Sequence, residues 1–130
     1  MSEDMGKLLL RLCLGGLLLF HGVHKLLNGL GPIDGMLVAH NISSTVAYGV
    51  YLGEVVAPIL IILGLFSRIG GLLVAGNMVV AVLLAGLPRI AALAPSGGYA
   101  LEAEVFFFAT GLAVALLGAG RLSVGGGRWN

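Results

Sequence analysis

Charge is what this sequence has least of. Only 10% of its 130 residues are charged, against roughly 25% in an average soluble domain, so too little is present to build a water-covered surface. Seven Lys/Arg against six Asp/Glu leave a formal charge of +1. So sparse a set, spread along the whole length, makes no phosphate-tracking patch and excludes nucleic acid as a main partner. A single cysteine, Cys13, excludes an internal disulfide, a Cys-x-x-Cys redox pair and a thiolate metal cluster built by this chain alone. Proline is scarce too, with four residues beside 22 glycines; at 58% hydrophobic residues this reads as close helix packing, since disorder needs low hydrophobicity. The length allows one domain, 1–130.

What is present is long apolar runs, with a mean hydropathy of +1.07. A membrane span needs about 20 apolar residues to cross a hydrocarbon core of roughly 30 Å. Residues 8–27, 46–66 and 69–87 meet this, and 101–117 does so over a shorter length with Glu102 and Glu104 in its first turn. The expectation is an all-α integral membrane protein, an antiparallel up-down four-helix bundle. Glu3 and Asp4 stand where a secretory leader would be basic, and no small-x-small cleavage site follows, so the first span is expected to stay in the membrane. Four crossings put both termini on one side. That side collects Lys7, Arg11, Arg68, Arg121 and Arg128, while Lys25 and Arg89 fall near the other, so both termini are expected in the cytoplasm.

The connections carry further expectations. Ser67 and Arg68 leave so short a link that spans two and three must be antiparallel neighbours. Gly31, Pro32 and Asp34 ahead of Met36, Leu37 and Val38 read as a helix start on a short segment lying along the outer interface. Pro88 stops span three, Pro95, Gly97 and Gly98 punctuate the next loop, and Tyr99 reads as an interface anchor. The tail 125–130 is expected to fray, with Trp129 touching headgroups. Arg11 and Arg68 are expected to meet lipid phosphates, and Cys13 to pack. Gly49 with Gly53, Ala81 with Ala85 and Ala109 with Ala113 are small residues at i,i+4, suited to helix contacts within a bundle or along a homodimer seam.

The residues with chemistry to offer are ionisable groups inside the spans, where a charge costs several kcal/mol unless it snorkels, pairs or faces water. His21, His24 and Lys25 stand at i, i+3 and i+4 of span one and project from one side of it. Glu54 in span two lies at a similar height, has a short stem, and needs a partner from span one. Pro58, four residues on, lacks the N–H that would bond the Glu54 carbonyl, so a kink and a free acceptor are expected beside the carboxylate. Asn77 reaches the same layer from span three, and Glu102 or Glu104 enters from span four, one of the two only because i and i+2 lie on opposite sides of a helix. Gly53 helps open the space.

Two readings of this layer stand side by side. A Glu54–Lys25 pair fixes helix register and nothing more. Alternatively, the surplus of two histidines, a lysine and a second carboxylate over one pair serves proton handling or a polar ligand, with Glu54, His21 and His24 as candidate proton acceptors. His21, His24 and Glu54 also form a two-histidine, one-carboxylate set of the kind that holds iron or zinc, although two histidines on one helix cannot be opposite axial ligands of a haem.

Taken in order, Leu10-Arg11-Leu12, His21-Gly22-Val23-His24-Lys25-Leu26, Gly53-Glu54 with Pro58, Leu63-Gly64-Leu65-Phe66-Ser67-Arg68-Ile69 and Gly118-Ala119-Gly120-Arg121-Leu122-Ser123 resemble the DoxX family of small prokaryotic four-helix membrane proteins. The resemblance covers nearly the whole chain. Ala119 replaces a proline common in the last motif, and Val124 with Gly125 stands where an aspartate often follows Ser123. The resemblance implies the cytoplasmic membrane of a prokaryote and carries the family's His-Gly-x-x-Lys and Gly-Glu segments onto His21, Gly22, Lys25, Gly53 and Glu54. It also implies association with redox chemistry: the family is named for a subunit linked to a quinol oxidase and thiosulfate:quinone oxidoreductase, and other members resemble partners of thiol-handling or oxidative-stress proteins. The resulting expectation is a non-autonomous subunit whose outer-half cavity takes a quinone or quinol headgroup, with a membrane or periplasmic redox protein as partner. The alternatives are a non-catalytic scaffold that recruits other subunits and, less favoured, metal or haem binding or solute and proton translocation.

Overall fold

The computed structural model describes residues 1–29, 31–43 and 47–130. Five helices make up its regular structure: α1 (Ser2–Asn28), α2 (Gly31–Ala39), α3 (Gly49–Leu63), α4 (Ser67–Arg89) and α5 (Glu102–Leu117). Among the described residues there is no strand, only an isolated bridge from Leu93 to Tyr99 within the loop ahead of α5.

By length and apolar composition α1 and α4 can each cross a membrane. The expected second span, 46–66, is shorter as a helix, and its expected start at Val46 lies outside the described residues. Its far end is set by backbone conformation: Gly64 at φ 75° and Phe66 at φ 47° are left-handed, which stops α3 at Leu63 and reverses the chain into α4. Gly64 is suited to this place twice over, since a Cβ there would also lie 2.8 Å from an Arg11 guanidinium nitrogen. Gly118 ends the 16-residue α5 in a different conformation, φ 78° with an extended ψ of −175°, which also favours glycine.

α1 packs on α3, α3 on α4, α4 on α5, and α5 back on α1. Their shared core is built from Leu14 and Leu18 of α1, Ala57 and Ile61 of α3, Val74 and Met78 of α4, and Val114 of α5. The buried positions of α1, at 11, 14, 15, 18 and 22, repeat every three or four residues and define one face. Glycines let backbones touch along it. A Cβ on Gly15 would lie 2.9 Å from the Pro58 carbonyl oxygen, and one on Gly22 would collide with the Glu54 carbonyl. The tightest approach of α4 and α5 is likewise backbone to backbone, where a Cβ on Gly111 would lie 2.8 Å from the Gly71 carbonyl oxygen. By contrast Gly49, the first of the small residues noted in the sequence, has open space beside it.

The basic end departs from expectation. Arg11 is 1% exposed and meets no lipid: its Nε donates to the Ile61 carbonyl (2.9 Å), Nη1 to those of Ala119 (2.7 Å) and Leu122 (2.9 Å), and Nη2 to Ile62 (3.2 Å). The reason is that carbonyls at the end of α3 and in the segment after α5 are short of helical N–H partners, Ile61 having only the Gly64 amide at 3.3 Å, and attract a cation with several donors. Arg68 also bonds carbonyls, those of Ala115 (2.9 Å) and Leu116 (2.7 Å) in α5, through Nη1, but it is only half-buried and is not enclosed as Arg11 is. The tail is tied down instead of frayed. The amide of Val124 bonds the Leu63 carbonyl (2.9 Å), that of Gly125 bonds Gly64 (3.0 Å), the amide of Arg68 bonds Trp129 (3.0 Å), and the Asn130 side chain takes the Ser67 amide (3.3 Å). These residues satisfy groups left open by the sharp turn between α3 and α4. Cys13, expected to pack, is exposed.

Candidate functional site

At the opposite end α3 contains a wide turn, Leu52–Val56, in which the amide of Ala57 reaches back to the Leu52 carbonyl. It lies where Pro58 withholds its N–H from Glu54, so the local irregularity expected beside the carboxylate takes the form of a widened turn. Gly22 of α1 sits against the Glu54 carbonyl so closely that any side chain would overlap it. That contact sets the helix separation one turn from Lys25 and brings the Lys25 ammonium onto the Glu54 carboxylate, an ion pair with side chains 25% and 7% exposed. The Tyr51 hydroxyl donates to the Lys25 carbonyl at 3.3 Å, fixing the end of α1 to the start of α3. Behind Glu54, Gly53 is in close contact with Asn77 of α4: a Cβ there would lie 2.5 Å from the Asn77 Cγ. Each chemistry-bearing residue of the α1–α3 pair thus has a glycine beside it that lets the neighbouring helix approach.

The pair borders a cavity of about 370 Å³. Its polar lining is His21, Lys25, Glu54, Asn77 and Glu104, from four different helices. The remaining wall is apolar, with Leu18 and Met78 at the core side, Phe107 on α5, and Ile33 and Met36 on α2. α2 is held there by buried Leu37, which packs with Ala47 against Ile33, Tyr51 and Leu84. His21 meets Phe107 edge to face, ring centres 6.1 Å apart, so its imidazole bridges α1 and α5. Glu104 stands at the rim, 4.0 Å from the Arg89 guanidinium.

Not every expected residue joins them. His24 is exposed and turned to its own helix end, where the Asn28 amide approaches its Nδ1 (3.2 Å) and donates to its carbonyl (2.9 Å). The helical wheel explains the split: His24 and Lys25 flank His21 on opposite sides, about 100° apart, so one of them must leave the cavity. Glu102 is also exposed, beside Gly98, which leaves Glu104 as the α5 carboxylate on the cavity. His21, His24 and Glu54 do not converge, and among the described residues no group of three His, Cys, Asp or Glu is placed to hold a metal ion. Sequence reasoning missed the roles of Arg11, Gly71 and Gly111. For Arg11 a signal was present, since it shares the 11, 15, 18, 22 face with two glycines and a core leucine.

Two helices long and apolar enough to cross a membrane, in a chain with so little charge, mark the class as a helical membrane protein. The DoxX family profile matches residues 6–87, through α1, α2, α3 and most of α4, and the chain belongs to that family. Comparison with curated proteins and with solved structures finds no match.

Proposed function

We propose that this chain is a redox-associated subunit of a prokaryotic cytoplasmic membrane that binds a quinone or quinol headgroup in the cavity beside Glu54. In this reading α1, α3, α4 and α5 are the four spans of an antiparallel bundle with both termini in the cytoplasm, and the cavity opens in the outer half of the bilayer. α3 and α5 are short for the task, and flanking apolar residues with slight bilayer thinning make up the length. The observation that carries the proposal is Glu54, 5% exposed, lining a 370 Å³ hollow whose other polar groups outnumber what one carboxylate needs. That volume lies within the roughly 300–1,000 Å³ of small-ligand sites, and a mainly apolar wall with a few convergent polar groups suits a ring bearing two oxygens.

Quinol oxidation releases two protons with two electrons. Glu54 and His21, which line the cavity, accept the protons, Lys25 holds the carboxylate and balances its charge, and Asn77 bonds a ring oxygen. His24, turned outward, serves as an onward acceptor at the surface. The electrons pass to a membrane or periplasmic partner. Titration of the purified protein with a short-chain quinol analogue tests the proposal. Saturable binding by wild type that is weakened at least tenfold in Glu54→Gln supports it, and equal binding by both removes it.

A non-catalytic scaffold is the second reading, favoured by the direct Lys25–Glu54 contact, which by itself fixes α1 against α3. Under it, Glu54→Gln lowers stability and partner recovery while no quinol signal exists in wild type.

A further inference from the structure

A second hollow lies at the other end of the molecule, a groove of about 580 Å³ between α4 and α5. Leu72, Leu112 and Leu116 form its wall, and Arg68, Arg128 and Trp129 its head. The Arg128 guanidinium sits over the Trp129 ring, 5.7 Å from its centre. Arg68 is oriented by the α5 carbonyls that its Nη1 bonds, which leaves Nε and Nη2 of the fork as further donors. The ion pairs among the described residues are Lys25–Glu54 and Arg89–Glu104, so neither Arg68 nor Arg128 has a carboxylate within 4.0 Å there. The acids of this end do not reach the groove: Asp4 accepts the Arg121 amide at 3.0 Å.

We propose that this groove binds an anionic phospholipid, its phosphodiester held between Arg68 and Arg128 and an acyl chain lying along Leu72, Leu112 and Leu116. Charge complementarity selects the headgroup, because two guanidiniums with no Asp or Glu within 4.0 Å line one groove and a planar fork suits phosphate oxygens. The leucine wall selects a lipid over a soluble anion. Leu116, 79% exposed, flanks Arg68, and Leu72, 51% exposed, with Leu112 carries the groove one turn further along α4 and α5, where only an apolar chain matches them. Trp129 marks the level of the headgroups, as tryptophan does at membrane interfaces.

Trp129 is the chain's single tryptophan, so its emission reports on this groove alone. The experiment reconstitutes the full chain in phosphatidylcholine vesicles doped with phosphatidylglycerol or phosphatidylcholine brominated near the glycerol end of the acyl chains. Wild type is expected to be quenched by brominated phosphatidylglycerol at mole fractions at least fivefold lower than by brominated phosphatidylcholine. Each basic residue near an anionic surface contributes roughly fivefold in occupancy, so Arg128→Gln should lose about that factor and Arg128→Lys should keep most of it. Millimolar inorganic phosphate is expected to leave the quenching unchanged. Equal quenching by the two lipids, full preference in Arg128→Gln with unaltered circular dichroism, or displacement by inorganic phosphate would each overturn the proposal, the last by making the groove a soluble-anion site.

Discussion

Replacing Gly22 by alanine is the sharpest test of how the ion pair is held. A Cβ at this position would overlap the Glu54 carbonyl oxygen, lie 2.7 Å from its carbon and 2.9 Å from Val55 Cγ2. Two of those three atoms are backbone, fixed within the widened turn of α3, so no rotamer change relieves the overlap. To restore an ordinary contact of about 3.4 Å or more, α1 and α3 must separate by an ångström or more locally. Overpacking of this kind costs about 1–3 kcal/mol. Lys25 lies three residues further along the same helix, so the separation also draws its ammonium from the Glu54 carboxylate. Gly16 supplies the control, since a Cβ there meets nothing within 4 Å. In detergent micelles, Gly22→Ala is expected to unfold at clearly lower temperature than wild type, while Gly16→Ala is unchanged or slightly stabilised by helix propensity. If the two variants unfold together, the backbone contact between α1 and α3 is not as close as described, and the account of how Lys25 meets Glu54 fails with it.

Other expectations follow from the same geometry. Removing one partner of the buried pair, by Lys25→Met or Glu54→Gln, should cost about 3 kcal/mol, and the double variant should recover part of that; strict additivity in a double-mutant cycle of thermal unfolding would mean that the pair contributes no coupling. Arg11→Met takes the guanidinium from the carbonyls of Ile62, Ala119 and Leu122 and leaves that of Ile61 only the Gly64 amide, so it should destabilise by several kcal/mol, whereas Arg68→Met, with two such bonds, should cost less. Fluorescent-protein fusions at either end of the chain should both fluoresce in cells, as cytoplasmic termini require, and a dark fusion at one end would contradict the four-span arrangement.

Apolar runs marked the helices well because a helix in lipid needs little beyond length and hydrophobicity, and residues 69–87 and 101–117 fall within or against α4 and α5. The end of the second run was not readable from hydropathy. Leu65 and Phe66 are as apolar as the helix before them, and only the left-handed backbone at Gly64 and Phe66 takes them out of it. In the polar layer, the three-residue cluster of α1 was visible as a cluster but not as a division. A spacing of i, i+3 and i+4 spans about 100°, wider than the strip that one neighbouring helix covers, so the placement of α3 decides that Lys25 reaches Glu54 and His24 does not. The tail was misjudged for a similar reason: glycine-rich composition describes what a segment can do alone, and the open carbonyls and amides it binds belong to a turn some 60 residues earlier.

The two buried charges of the α1–α3 pair bear on what Glu54 is for. Both sit at the same interface, near opposite ends. Arg11 is enclosed, 1% exposed with four carbonyls on its donors, which is how a charge kept for structure is accommodated. Glu54 is held by one lysine that is itself a quarter exposed, and a 370 Å³ hollow lies against the pair with His21, Asn77 and Glu104 around it. If register were the whole purpose at that end, a second enclosed clamp or an apolar contact would serve at lower desolvation cost. On the proposed reading, the open side of the pair is where the quinol headgroup sits. It yields a discriminating expectation: Ala81→Phe, at a half-buried position on the cavity wall outside the shared core, should leave thermal stability near that of wild type and abolish quinol binding. Were quinol binding unaffected, the headgroup would have to sit elsewhere.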